Sequence, residues 1–147
     1  MGTVMIEKKI EKIINEFNQF EDWEDKYAHL IKRGKSLPEM QEALKTEDNK
    51  VKGCQSQVWM SAILNDDHTL SFVADSDAMI VKGIVSMLVE VYSGEKPEVI
   101  ISHKPEFIKE IGLDEHLSPS RTNGLFSMIK QIKYYATAYQ ALLSKSF

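Results

Sequence analysis

The sequence predicts an α+β domain, a small antiparallel sheet with helices packed around it. Three features carry that expectation. Residues 5–33 and 121–143 hold apolar side chains at helical spacing, residues 55–74 hold two short apolar runs around a polar turn, and residues 78–93 are apolar nearly all round. Such a helix has to be buried against the sheet. A length of 147 residues with 43% apolar composition suits one compact domain over residues 1–147, with no disulfide or metal staple needed.

Each element has its own signal. In the first helix Ile6, Ile10, Ile13, Ile14 and Phe17 recur with charges between them, and Thr3 is placed to cap the start. A second helix is expected over residues 23–33, burying Trp23, Tyr27, Leu30 and Ile31, with Gly34 as its stop after Lys32-Arg33. These two helices are expected to pair. Residues 35–52, with Pro38 and the polar run 45–50, read as a connection holding at most a helical turn at 39–44. A hairpin follows, strands 55–64 and 69–74 joined at Asn65-Asp66-Asp67. Asp75-Ser76-Asp77 would cap the apolar helix 78–93, which Gly94 and Pro97 end. A short helix over 105–111 closes at Gly112. The last helix, about 121–143, aligns Leu125, Met128, Ile129, Ile132, Tyr135, Ala136, Tyr139 and Leu142 on one stripe.

Composition removes several function classes. The formal charge of -4, with no lysine and arginine run interleaved with aromatics, argues against nucleic acid. The start, Ile6-Glu7-Lys8-Lys9-Ile10-Glu11-Lys12-Ile13, lacks the form of a secretory signal, and Lys82, Gly83 and Glu90 interrupt the longest apolar stretch, so no membrane segment is indicated. One cysteine cannot form an internal disulfide, and a free thiol suits a reducing compartment; a cytosolic protein is expected. A metal site is not expected either, because zinc commonly takes four converging ligands and the four histidines, His29, His68, His103 and His116, show no paired spacing.

Cys54 is the residue with chemistry to offer. It follows Gly53 and precedes Gln55-Ser56, where a loop enters a strand. A lone cysteine is often just a small buried hydrophobe. Against that, Gly53 permits backbone angles closed to other residues, the loop makes the thiol presentable, and Lys50 and Lys52 lie near enough in sequence to favour thiolate. On residues alone these readings stand level, and a Cys–His hydrolase stays open because its histidine need be adjacent only in the fold. The segment from His116 to Gly124 is unusual for a helix start. Ser118 or Ser120 can cap and Pro119 suits the first turn, but Arg121 adds charge where the helix dipole is already positive, and Asn123-Gly124 are poor helix formers. It reads either as a loop with a late helix or as a cationic, flexible rim beside the sulfur.

Three blocks carry a family resemblance. Gly53-Cys54-Gln55-Ser56-Gln57-Val58-Trp59, Asp75-Ser76-Asp77-Ala78-Met79-Ile80-Val81-Lys82-Gly83 and His116-Leu117-Ser118-Pro119-Ser120-Arg121-Thr122-Asn123-Gly124-Leu125 resemble, in order, the signature blocks of the SufE family. Trp23-Glu24-Asp25-Lys26-Tyr27, Leu30-Ile31, Gly34 and Leu37-Pro38 extend the likeness upstream. The stretch Ile31-Lys32-Arg33-Gly34-Lys35 is more basic than that family leads one to expect. The resemblance implies a fold like that of the scaffold protein IscU, without the cysteines needed to hold a cluster. It implies that Cys54 accepts persulfide sulfur from a cysteine desulfurase of the SufS or CsdA type and passes it toward a cluster scaffold complex. Gln55, Asp77 and Arg121 would support the site or bind the partner. No cofactor of its own is implied, since the pyridoxal phosphate belongs to the desulfurase. The apolar residues around Val58, Trp59 and the 78–92 helix would shelter the sulfur, and Cys54 would lie close to the start of the last helix. A regulatory module that holds the desulfurase active without carrying sulfur is the competing reading.

Overall fold

The computed structural model describes the backbone of residues 2–145 and, of these, the side chains from Met5 onward. The chain runs through α1 (Gly2–Asn18), α2 (Trp23–Lys35), a 3-10 turn (Glu42–Leu44), β1 (Val58–Leu64) and β2 (Leu70–Ser76). It continues as α3 (Met79–Tyr92), α4 (Pro97–Ser102), α5 (Phe107–Ile111), α6 (Leu113–His116) and α7 (Pro119–Lys145). The strands pair antiparallel, Val58 opposite Ser76 and Leu64 opposite Leu70. This is the expected α+β class.

Alternation along the hairpin explains where the core lies. Val58, Met60 and Ala62 of β1 and Leu70, Phe72 and Ala74 of β2 are buried on one face, the period of two that a pleated strand imposes. α3 packs against β2, while α1, α2 and α7 also contact it. That enclosure is why α3 is apolar almost all round: Ile84, Val85, Met87, Leu88, Val91 and Tyr92 are all buried.

α2 departs from the sequence expectation. It runs through Gly34 to Lys35 and pairs with α3 rather than α1. A Cβ on Gly83 would lie 2.0 Å from the Leu30 carbonyl oxygen, and one on Gly34 would lie 2.9 Å from the Gly83 nitrogen. Gly34 is therefore a crossing point where two helix backbones touch, not a stop. Leu30 is buried, but Trp23, Tyr27 and Ile31 are only half-buried. α1 meets α2 at its C-terminal end, where Glu16 Oε1 lies 2.7 Å from Arg33 Nη1 and 2.9 Å from His29 Nε2. Asp22, unremarked in the sequence, caps α2 by accepting from the Asp25 amide at 2.9 Å.

α7 covers the free edge of β1. Tyr135 Oη donates to the Met60 carbonyl at 2.8 Å and Tyr139 Oη to the Ala62 carbonyl at 3.3 Å. Four helical residues advance about 6 Å and two strand residues about 6.7 Å, so the two periods match over this span. On the same edge the Val51 amide donates to Val58 and the Met60 amide to Asn49, so the 35–52 connection ends as a partial third strand.

Further corrections concern helix ends. Pro97 opens α4 at its first position instead of ending α3, and neither α4 nor α6 is anticipated from sequence. Both are too short to show a period. The 75–77 cluster does not cap α3, whose cap is Ala78; β2 runs on through Ser76 and buries Asp75 between Lys45 at 3.1 Å and Lys82 at 3.3 Å. Thr3 lies inside α1, and its side chain is outside the described residues. Gly112 closes α5 in the left-handed region, φ 93°, as expected, with His116 stacked on Trp23 at 4.2 Å just beyond. Among the described residues no helix is long and apolar enough to cross a membrane.

Candidate functional site

Cys54 sits where the loop into β1 presses on the first turns of α7. Gly53 takes φ 90°, and a Cβ there would lie 2.7 Å from Ser127 Oγ, so only glycine brings the loop this close to the helix. Gly124 does the same from the helix side: a Cβ on it would lie 3.2 Å from Cys54 Sγ. With that space empty, Sγ donates to the Gly124 carbonyl at 3.6 Å. Ser118, not Ser120, caps the helix, its Oγ accepting from the Arg121 amide at 3.3 Å.

Beside the sulfur lies a cavity of about 80 Å³. Val81 and Ile84 of α3 and Met128 of α7 form its apolar wall, and Gln55, Ser120 and Arg121 stand at its polar side. Of the apolar residues expected around the sulfur, those of α3 line the cavity and Val58 and Trp59 do not. Trp59 is on the outer face of the hairpin, 5.5 Å beneath the Lys45 ammonium.

The electrostatics differ from the sequence expectation. Burial pushes the Cys54 thiol above its ordinary range, with no cation offsetting it. Lys52 instead reaches Glu47 at 4.0 Å and is 80% exposed, so the resting thiol is held protonated where the lysines had suggested thiolate. Residues adjacent in sequence need not face one another across a turn.

Of the other expected site residues, Gln55 and Arg121 share the cavity with Cys54, and Asp77 does not. Asp77 instead fastens the base of the cysteine loop: its Oδ1 accepts from the Gln57 amide at 3.0 Å, and its own amide donates to the Gln57 carbonyl at 3.2 Å. Arg121 is exposed and, among the described residues, makes no ion pair with Asp114, Glu115 or any other carboxylate. The segment around it is helical from Pro119, not a flexible rim. None of the four histidines lines the cavity, which leaves a Cys–His pair without its histidine. Sequence reasoning passed over Gly124 as a poor helix former; a glycine inside a helical stripe was itself the signal of a close approach. No group of three or more metal-ligating side chains occurs among the described residues.

Comparison with known proteins bears on this geometry. A model of the SufE family, described as an Fe-S metabolism associated domain, matches residues 11–136. The chain belongs to the SufE family. A SufE-like protein of Rhizobium meliloti is 42% identical over 84% of this chain and 91% of its own length. Another, of Synechocystis, is 36% identical over 95% of this chain and 87% of its own. SufE-like protein 1, chloroplastic/mitochondrial, of Arabidopsis thaliana is 38% identical over 83% of this chain, which matches 33% of that longer relative. The solution structure of a hypothetical protein from Thermus thermophilus covers 90% of this chain and 96% of its own with a TM-score of 0.75 and 21% identity, and shows the shared fold. SufE membership places the chain in iron–sulfur metabolism.

Proposed function

We propose that this SufE-family protein takes sulfur from a cysteine desulfurase onto Cys54 and delivers it for iron–sulfur cluster assembly. The observation that carries the reading is the cavity of about 80 Å³ beside a half-buried thiol, more than the roughly 30 Å³ that a water takes in the liquid. It gives one added sulfur atom room to reside beside the apolar wall of Val81, Ile84 and Met128. Members of this family are sulfur carriers that need no cofactor of their own, in keeping with the chemistry.

In the transfer, the Cys54 thiol loses its proton and the thiolate attacks the outer sulfur of the desulfurase persulfide. A new S–S bond forms as the old one breaks, and the desulfurase cysteine leaves as thiolate and takes up a proton. Burial keeps the thiol protonated and shielded from oxidants at rest, so the partner's approach has to draw Sγ out from under α7. Arg121, exposed at the cavity and without an ion pair among the described residues, would then stabilise the developing thiolate or contact the desulfurase. The SufS or CsdA type of desulfurase, the receiving scaffold and a cytosolic setting belong to the same proposal.

The test is incubation with desulfurase, pyridoxal phosphate and cysteine, followed by mass analysis of the peptide bearing Cys54. One added sulfur atom is expected, lost on reduction. Cys54→Ser is expected to fold normally and to abolish stimulation of sulfide release; full stimulation by the serine variant would leave a regulatory module instead. Arg121→Ala is expected to lower transfer while stability changes by at most about 1 kcal/mol. Unchanged transfer would remove Arg121 from the site.

A further inference from the structure

On the sulfur-carrier reading, a loaded Cys54 ends in a second sulfur about 2 Å beyond Sγ, the length of an S–S bond. That sulfur loses its proton more readily than a thiol does, because the neighbouring sulfur helps to spread the charge, so the cargo has an anionic end. Loading also changes what Sγ can do. The unloaded thiol donates to the Gly124 carbonyl at 3.6 Å. Once bonded to a second sulfur, Sγ carries no proton, and the carbonyl oxygen repels the negative end of the cargo. The terminal sulfur therefore turns away from Gly124, and Val81, Ile84 and Met128 offer it no hydrogen bond.

Four polar side chains line the cavity besides the thiol: Gln55, Ser56, Ser120 and Arg121. Gln55 and Arg121 are exposed, whereas both serines are half-buried. Ser56 follows Cys54 by two residues and travels with its loop. Ser120 stands on α7, so a loop drawn out toward a partner leaves it behind. Among the described residues its hydroxyl has one hydrogen-bond partner, Ser118 Oγ at 3.3 Å. Ser118 Oγ in turn accepts from the Arg121 amide at 3.3 Å. With the Ser118 proton donated to Ser120, the chain of bonds leaves the Ser120 proton unspent and adjacent to the cavity.

We propose that Ser120 holds the cargo: its hydroxyl donates to the terminal sulfur anion while Cys54 rests against α7. The bond favours the anion and fixes the sulfur at the polar side of the cavity. Because donor and acceptor stand on different elements, withdrawal of the loop parts them. The sulfur is kept while sheltered and let go when presented.

Chemical loading tests this without a desulfurase. Cys54 is converted to a mixed disulfide with thiopyridine, and one equivalent of hydrosulfide displaces the thiopyridine as thiolate to leave the persulfide, checked by mass. The persulfide anion absorbs in the near ultraviolet, and that absorbance, with unloaded protein subtracted, is followed against pH. Arg121 is the one charged side chain lining the cavity besides the cargo and keeps its proton throughout, so the midpoint belongs to the sulfur. Ser120→Ala is expected to raise the midpoint by about one pH unit, as loss of a hydrogen bond to a charged group does, and Ser120→Thr, which keeps a hydroxyl, to restore it. The midpoint of the unloaded thiol, read by iodoacetamide alkylation, should not move in either variant, because that thiol bonds to Gly124 and not to Ser120. A persulfide midpoint unchanged by Ser120→Ala, a threonine variant no better than the alanine one, or an equal rise in the unloaded thiol would overturn the proposal. Failure of a desulfurase to load Cys54 overturns the carrier reading, whereas a flat midpoint in chemically loaded protein overturns the role of Ser120 alone.

Discussion

Gly124 and Cys54 show how much one missing side chain governs. A Cβ on Gly124 would stand 3.2 Å from Sγ, closer than ordinary contact, and the sulfur, rather than the helix backbone, is the group free to move. Gly124→Ala is expected to leave stability nearly unchanged, because the alanine's helix preference of about 1 kcal/mol offsets the crowding. It should push the thiol outward. Alkylation of Cys54 by iodoacetamide is therefore expected to quicken, and its pH midpoint to move down from the raised value that burial imposes toward that of a free cysteine. An unaltered rate and midpoint would mean that the sulfur adjusts within its cavity. The site residues divide by what they depend on. Cys54 was legible because it is the single cysteine and lies in a block that resembles the SufE signature, and Arg121 because it opposes a helix dipole. Asp77 looked like a helix cap and proves to fasten the Gln57 backbone, a partner that only the hairpin brings near.

Helix crossings dominate at the scale of elements. α2 and α3 approach until the Leu30 carbonyl nearly fills the place of a Gly83 side chain, and backbone cannot yield as a flexible side chain does. Gly83→Ala is expected to destabilise the fold by about 3 kcal/mol despite the better helix former, measured by urea unfolding. Gly34→Ala, with its nearest contact at 2.9 Å rather than 2.0 Å, should be milder. If the two variants prove equally harmless, the helices slide apart freely and the crossing is not tight. Glycine after a basic pair reads as a helix stop, and in isolation that reading is sound. It fails because the partner glycine sits on another helix, far along the chain.

Across the whole molecule, charges join elements that the core alone would leave adjacent. Burial would raise the Asp75 carboxyl, but hydrogen bonds from Lys45, the Ser76 amide and Lys82 outweigh it and hold it below its ordinary range. Glu16 is likewise lowered, burial being outweighed by His29 and Arg33. A carboxylate depressed in the fold contributes stability that is whole above its unfolded value, near 4, and is lost as pH falls through the lower folded value. His103, depressed by burial, adds an earlier loss below about 6.5, where the unfolded imidazole gains its proton first. The melting temperature is expected to drift down from pH 6.5 and to fall steeply below about 4. In Asp75→Asn the deficit against the parent should be largest at neutral pH and shrink toward pH 3. A deficit independent of pH would assign Asp75 a packing role only.

By itself the sequence determined the elements whose period is long and whose apolar face is complete: α1, α3, α7 and the hairpin. It also showed a single thiol, Cys54, the residue on which the proposed sulfur chemistry rests. Local pattern suffices there, since each residue's burial follows from its position on its own helix or strand. Tertiary structure decided the rest. Whether Gly34 ends a helix or admits another, whether Asp75 caps or is buried between two lysines, and whether Cys54 rests as thiol or thiolate all turn on groups distant in sequence. Contact and desolvation are properties of neighbours in space, and the chain order does not specify those neighbours until the core has closed.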